Sequence, residues 1–384
     1  VFYNQQTLRS MSMRVVTALA LLACTISLNE ALLSQRAAFG TSRLSRRLPL
    51  TAVASLERAP AITMPKEDQW IPKLDMEGFR QEIRSLGKEL EKGQGEADVK
   101  HLKKICLWSN ACAAFGLLTM WMTPNPLTVM ALSLWTFSRW TTIAHHTCHG
   151  GYNNADKTKF FSSKGFAIGS LRKRVVQWFD WMLPEAWNVE HNNLHHYRLG
   201  EIDDPDLVER NLEFVREMKA PMFVKYAAVG FLMATWKWFY YAPNTYKELK
   251  IAELRRNGIT VADSDGPTEA FTLKAFFDHK LGLSKTRKWY TFRDFMKTVA
   301  GPYLLGHFIL MPLPLLAINK AYFFNAVISL LLAEVLTNVH SFIAIATNHA
   351  GEDLYKFSRG CLPNSGTFYL RQDRSEERRV GKEC

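Results

Sequence analysis

The chain has 384 residues, 47% of them hydrophobic and 22% charged, with a formal net charge of +12 and six cysteines. That composition is close to soluble averages and does not by itself declare a membrane protein. Cys24, Cys106, Cys112, Cys148, Cys361 and Cys384 show no paired spacing, so they read as reduced thiols and not as a disulfide frame.

The charge is uneven along the chain. Residues 1–65 hold seven Arg and two Glu (+5), and residues 374–384 hold four basic and three acidic groups (+1), which leaves +6 for the body. A body of that charge suits anionic lipid head groups and calls for no nucleic acid.

Residues 1–65 read as a leader. Arg14 opens a signal-like segment with the apolar run Val15–Leu28, too short for a comfortable membrane span. From Phe39 to Thr63 the chain is rich in Arg, Ser, Thr and Ala, a transit-peptide composition. The combination resembles the bipartite leaders of plastid proteins in algae with secondary plastids; a secretory signal followed by a linker is the alternative. Residues 66–104 are polar and charged, with helical periodicity over Met76–Leu90, and read as a surface helix region.

Two apolar hairpins follow. Ile105–Met122 and Leu127–Ile143 are separated by the turn Thr123-Pro-Asn-Pro, with Arg139 placed to snorkel. Val175–Val189 carries Trp178, Trp181 and Trp187 and reads as interfacial. Met222–Tyr241 is apolar but holds Lys225 and Lys237, which suggests an interfacial helix or shallow insertion. Asn244–Arg293 reads as a polar segment. Val299–Ile318 and Ala321–Ala346 make the second hairpin, and Glu334, Asn338 and His340 inside it are expected to face the protein. The expected fold is therefore all-α: an integral membrane bundle of two transmembrane hairpins with a histidine-rich cap at one membrane face.

Histidine placement carries the chemistry. His145, His146 and His149 follow the first hairpin, and Glu190–Asn211 reads EHNNLHHYRLGEIDDPDLVERN. If that stretch is helical, His191 and His195 share a face with His196 beside them, and imidazole suits iron, zinc, copper or nickel. Asn192 and Asn193 after His191 argue against a zinc peptidase, which needs H-E-x-x-H. His349 lies just past the second hairpin. Seven imidazoles, His145, His146, His149, His191, His195, His196 and His349, should thus converge at one membrane face. They exceed the needs of a single zinc and suit two metals, with nitrogen ligation favouring iron and oxygen chemistry.

Glu190, Glu201, Asp203, Asp204 and Asp206 could orient the imidazoles from outside the ligand set. The acidic run also reads as turn chemistry around Pro205. Asn348 is a candidate weak ligand or a helix cap, and His340 ranks below His349 because nine residues put the two on different helix faces. His101 and His279 read as solvated, and His307 as a hydrogen-bonded packing residue.

The strings AHHTCHGGY, EHNNLHHYRLGE and TNHAGEDLY resemble the membrane-bound fatty acid desaturases over roughly residues 105–373. The resemblance implies two non-haem irons held by the histidines. It also implies dioxygen as co-substrate, an acyl-lipid substrate in a hydrophobic tunnel, and double-bond formation. Lipid hydroxylases and carotenoid ketolases share that scaffold, and a non-catalytic metal-binding membrane protein is a further reading. With no fused cytochrome domain in the chain, electrons are expected from a separate protein: ferredoxin in a plastid membrane, a b-type cytochrome in the ER. The family's third box of paired histidines is not in the sequence. Arg374–Cys384, RSEERRVGKEC, resembles a translated sequencing adapter, so the native protein is expected to continue past Asp373 and this form to be inactive.

Overall fold

A computed structural model describes residues 70–258, save 179 and 202, and residues 291–376, save 348, 350–356 and 358. The leader, His279, Asn348 and residues 377–384 of the tail lie outside the described residues. Those described are helical, with no strand among them and one isolated bridge between Glu201 and Phe357.

Helix α1 (Met76–Gly93) is amphipathic, as its periodicity requires. α2 (Glu96–Thr119) and α3 (Pro126–Phe137) form the first hairpin. α3 starts where the Asn125 side chain accepts from Thr128 N at 3.0 Å and Pro126 supplies a preset φ. Gly116 lets the two helices approach closely, since a Cβ there would meet the Leu132 side chain at 2.7 Å. α3 runs on through a π-helical stretch, Ser138–Ala144, into His145–Cys148.

α4 (Met222–Trp236) continues as π-helix to Tyr241, and α5 (Ala242–Arg256) follows directly. The second hairpin is α6 (Phe292–Leu316) and α7 (Lys320–Ala346), two helices long and apolar enough to cross a membrane. Their outward faces stay apolar, with Leu305, Ile309, Phe324, Ile328 and Leu331 exposed. Thr291 and Asn319 cap their starts. α7 packs on α3, where Thr337 Oγ1 donates to Ser133 Oγ at 3.1 Å. α8 (Gly366–Glu376) closes the described chain.

Several polar expectations change once the elements pack. Trp178, Trp181 and Trp187 are not interfacial: they are 0, 9 and 1% exposed. The short helix carrying Trp187 packs against α5, the one carrying Trp178 packs against the π-helical end of α3, and Trp181 lies in a bend against Tyr303 and Phe308 of α6. Trp181 Nε1 donates to Glu334 Oε2 at 2.7 Å, and Tyr303 donates to Glu334 Oε1, so Glu334 does face the interior. Arg139 does not snorkel outward. Its guanidinium donates to the Val176 carbonyl. Lys237 is no interfacial cation either: it is fully buried with its Nζ 2.7 Å from Asp180 Oδ2. Arg174 is buried too, and spans from the Trp181 carbonyl (3.0 Å) to the α6 carbonyls of Thr298 (2.8 Å) and Val299 (2.7 Å). Burial lowers its pKa to about 10. The start of the expected polar segment is a buried helix, since Asn244, Thr245, Lys247 and Glu248 of α5 all lie inside.

Candidate metal centre

The two histidine groups are delivered by helices that depart from α geometry. His145 follows the π-helical stretch at the end of α3, and His191 sits inside a second one, Asn188–Asn192. Such wide turns recur at functional sites because they re-aim side chains without ending the helix. The expected single helix from His191 to His196 is not what forms. The chain breaks at Asn193–Leu194 and resumes as a 3₁₀ turn, His195–Tyr197. The break swings His196 back over His191, ring centroids 4.5 Å apart, while His195 stacks on His191 at 5.4 Å.

His145, His149, His191 and His196 offer ring nitrogens that all lie within 4.8 Å of one another. His191 Nε2 is 3.3 Å from His145 Nε2 and 3.0 Å from His196 Nε2. Two nitrogens each about 2.1 Å from one metal lie roughly 3.0–3.4 Å apart, so this spacing fits a shared ion. Burial, followed by the neighbouring imidazoles, holds the His191 pKa well below its usual value, which keeps the ring neutral as a ligand must be. The group could hold a metal ion.

His191, His195 and Asp206 form a second such group. His195 is buried, and its Nδ1 lies 2.8 Å from Asp204 Oδ1. His349 stands against His195, centroids 5.0 Å apart. The Asp206 backbone N–H donates to Asp204 Oδ1 at 2.9 Å, and Tyr240 OH donates to Asp206 Oδ1 at 2.9 Å.

Not every candidate enters these groups. His146 is exposed and belongs to neither, because it lies about 100° round the helix from His145. His340 points into the bundle, with Nδ1 3.2 Å from Ser133 Oγ and its ring edge-on to Phe137. His307 stacks on Tyr303 inside α6 with Nε2 3.7 Å from Glu334 Oε1, a packing role. Asp203 is exposed. Glu201 instead anchors the C-terminal segment: its Oε1 accepts from Arg371 Nη1 at 2.8 Å and from Cys361 N at 3.1 Å.

Three further contributors carry little sequence signal. Trp187 stacks on His191 at 4.3 Å and meets His145 edge-on at 5.4 Å. It sits four residues before His191, a spacing that would have flagged it had its face been known. Gln372 Nε2 donates to the His196 carbonyl at 2.9 Å, from 176 residues away. Asn192 braces Asn188 at 2.6 Å and the Cys148 carbonyl at 3.3 Å. The site opens into a cleft of about 590 Å³ whose walls include His145, His149, His196, Tyr197, Asn364 and Phe368. Cys148 also lines the cleft and stays a protonated thiol, its pKa pushed up to about 11 by burial.

Compared with protein families, with characterised proteins and with solved structures, the chain matches none.

Proposed function

We propose that the chain is a membrane-embedded oxidoreductase that desaturates the acyl chain of a lipid through a pair of non-haem irons. The observation that carries this reading is the meeting of both histidine boxes and His349 in one place, with four ring nitrogens at metal-sharing distances. Neutral imidazole donors suit a redox-active first-row metal, and a carboxylate among them suits iron over copper. The apolar helix α7 ends three residues before His349, which stands against His195, and this suits a substrate drawn from the bilayer.

When bound, such a centre supplies the oxidation of unactivated C–H bonds by dioxygen. Desaturation removes two hydrogens from adjacent methylenes. Dioxygen, two electrons and two protons complete the balance, leaving one double bond and two waters. The electrons come from a separate donor, ferredoxin in a plastid membrane or a b-type cytochrome in the ER. The chain's own residues hold the geometry. Asp204 fixes the proton of His195 on Nδ1, so the lone pair falls on Nε2. Trp187 lies against His191 and His145 and excludes water from their buried side.

Expression of a chain completed past Asp373, in a host making saturated and monounsaturated lipids, with iron and a matched donor, should yield fatty acids with a new double bond. The His195→Ala chain should insert into the membrane and form none. Product from His195→Ala would overturn the site assignment. An oxygenated lipid in place of an alkene would replace desaturation by hydroxylation or ketone formation on the same scaffold, and metal bound without any product would leave a binding protein.

A further inference from the structure

The four imidazoles of the metal group are not held alike. His145 opens and His149 closes the last helical turn that extends α3, and His191 sits in the π-helical stretch Asn188–Asn192. His196 rides on a single 3₁₀ turn, His195–Tyr197, beyond the break at Asn193–Leu194. A lone 3₁₀ turn has poorer hydrogen-bond geometry and little stability of its own, so its aim depends on what packs against it.

The C-terminal segment packs there. Gln372 of α8 donates from Nε2 to the His196 carbonyl at 2.9 Å. The Phe357 N–H donates to the Gly200 carbonyl at 2.8 Å. Glu201, 5% exposed, accepts from Arg371 Nη1 at 2.8 Å and from Cys361 N at 3.1 Å. Arg371 Nη1 also donates to the Arg359 carbonyl at 2.6 Å, which ties the two ends of the segment together. The stretch from His196 to Glu201 is thus gripped at both ends by side chains and backbone 160 to 176 residues further along. The same segment supplies Asn364 and Phe368 to the wall of the cleft beside His196. His196 Nε2 shares an ion with His191 only while the two nitrogens stay near their 3.0 Å separation, because metal–ligand distances tolerate an error of about 0.2 Å. A turn free to rock on Asn193 would carry His196 off that position.

We propose that Gln372 and Arg371 are positioning residues of the metal centre. Through the His196 carbonyl and Glu201 they fix the turn that aims His196 at His191. Docking of the C-terminal segment and occupancy of the four-imidazole group then stabilise each other, because coupling between two sites is reciprocal. This inference rests on the metal reading of the site, but not on the lipid reaction.

Cobalt(II) serves as the probe, titrated into the purified metal-free 384-residue chain in detergent, with visible absorption and bound metal measured together. Gln372→Met keeps the length of the side chain without its donor and should weaken cobalt binding by about 3–10-fold. Arg371→Ala removes a charge-assisted contact and should weaken it by about 10–100-fold. In both variants the displaced imidazole should alter the absorption bands. In a His196→Ala background, Gln372→Met should have no further effect on affinity, since the ligand it positions is gone. Cobalt should in turn slow the amide exchange of Phe357 and Cys361 in the wild type by about 10-fold or more. Elution volume and far-UV circular dichroism identify any variant that has not folded, and the exchange measurement on the wild type then decides. Wild-type affinity and spectra in both folded variants would overturn the proposal, as would exchange at Phe357 and Cys361 that ignores cobalt. So would an equal loss from Gln372→Met with and without His196, the mark of general loosening, or a wild type that binds no cobalt. If these measurements agree and a completed chain forms no lipid product, the function fails and the positioning assignment stands.

Discussion

His195 Nδ1 and Asp204 Oδ1 lie 2.8 Å apart, both side chains almost wholly buried, and this contact sets which ring nitrogen of His195 faces the site. Asp204→Asn keeps the shape but can present an amide N–H toward Nδ1, which favours the wrong tautomer. Metal affinity should fall by about 10–100-fold with little change in unfolding temperature. A titration of Asp204→Asn that overlays the wild type would remove the orienting role.

His191 makes the metal-free protein acid-sensitive. Burial and the surrounding imidazoles lower its folded pKa well below 6.5, so below that pH the unfolded chain binds the extra proton first. Its contribution to stability is complete above about pH 6.5 and declines as pH falls toward the folded value, by at most about 1.4 kcal/mol per pH unit. Chemical denaturation of metal-free His191→Gln should show a shallower acid slope than wild type. Parallel slopes between pH 6.5 and 5 would contradict this.

Lys237 and Asp180 are 2.7 Å apart with neither side chain exposed, and the ammonium also lies 5.4 Å from the Trp140 ring centre. Lys237→Met strands a buried carboxylate and should cost about 3–5 kcal/mol, whereas Lys237→Met with Asp180→Leu should recover much of it. Thermal unfolding of the two variants in detergent tests the difference. A double variant no more stable than the single one would show that packing, not the stranded charge, dominates.

Arg371 and Gln372 clasp the loop that carries His195 and His196, through Glu201 at 2.8 Å and the His196 carbonyl at 2.9 Å. Arg371 also lies 4.5 Å over the Phe357 ring. Removing a hydrogen bond to a charged group costs about 1.5–3 kcal/mol. Arg371→Ala should therefore speed amide exchange of Phe357 and Cys361 by about 10–100-fold, since each tenfold reports about 1.4 kcal/mol of local opening. Unchanged exchange there would show that the clasp does not hold the segment down.

Much of the architecture was legible in the sequence because it is local. The apolar runs that became α6 and α7 are continuous, and the Asn, Thr and Pro that start the helices act within three residues. The spacing of His145 and His149 is one α-helical turn, and their rings do lie 4.7 Å apart. The histidine boxes could thus be named as a candidate metal site from their order, and four of their rings do come together. What only the tertiary structure decided depends on distant partners. A uniform helix gave no reason for His196 to fold back on His191; the π and 3₁₀ turns around Asn193 do that. Trp178, Trp181 and Trp187 look alike in sequence to tryptophans at a membrane surface, yet packing turns all three inward. Lys237 meets Asp180 across 57 residues, and Arg371 meets Glu201 across 170. Glu190, a plain neighbour of His191 in the sequence, becomes a buried carboxylate without a protein donor. Hydropathy and periodicity fix which face of a helix is apolar; which charge meets which is set by how the helices pack.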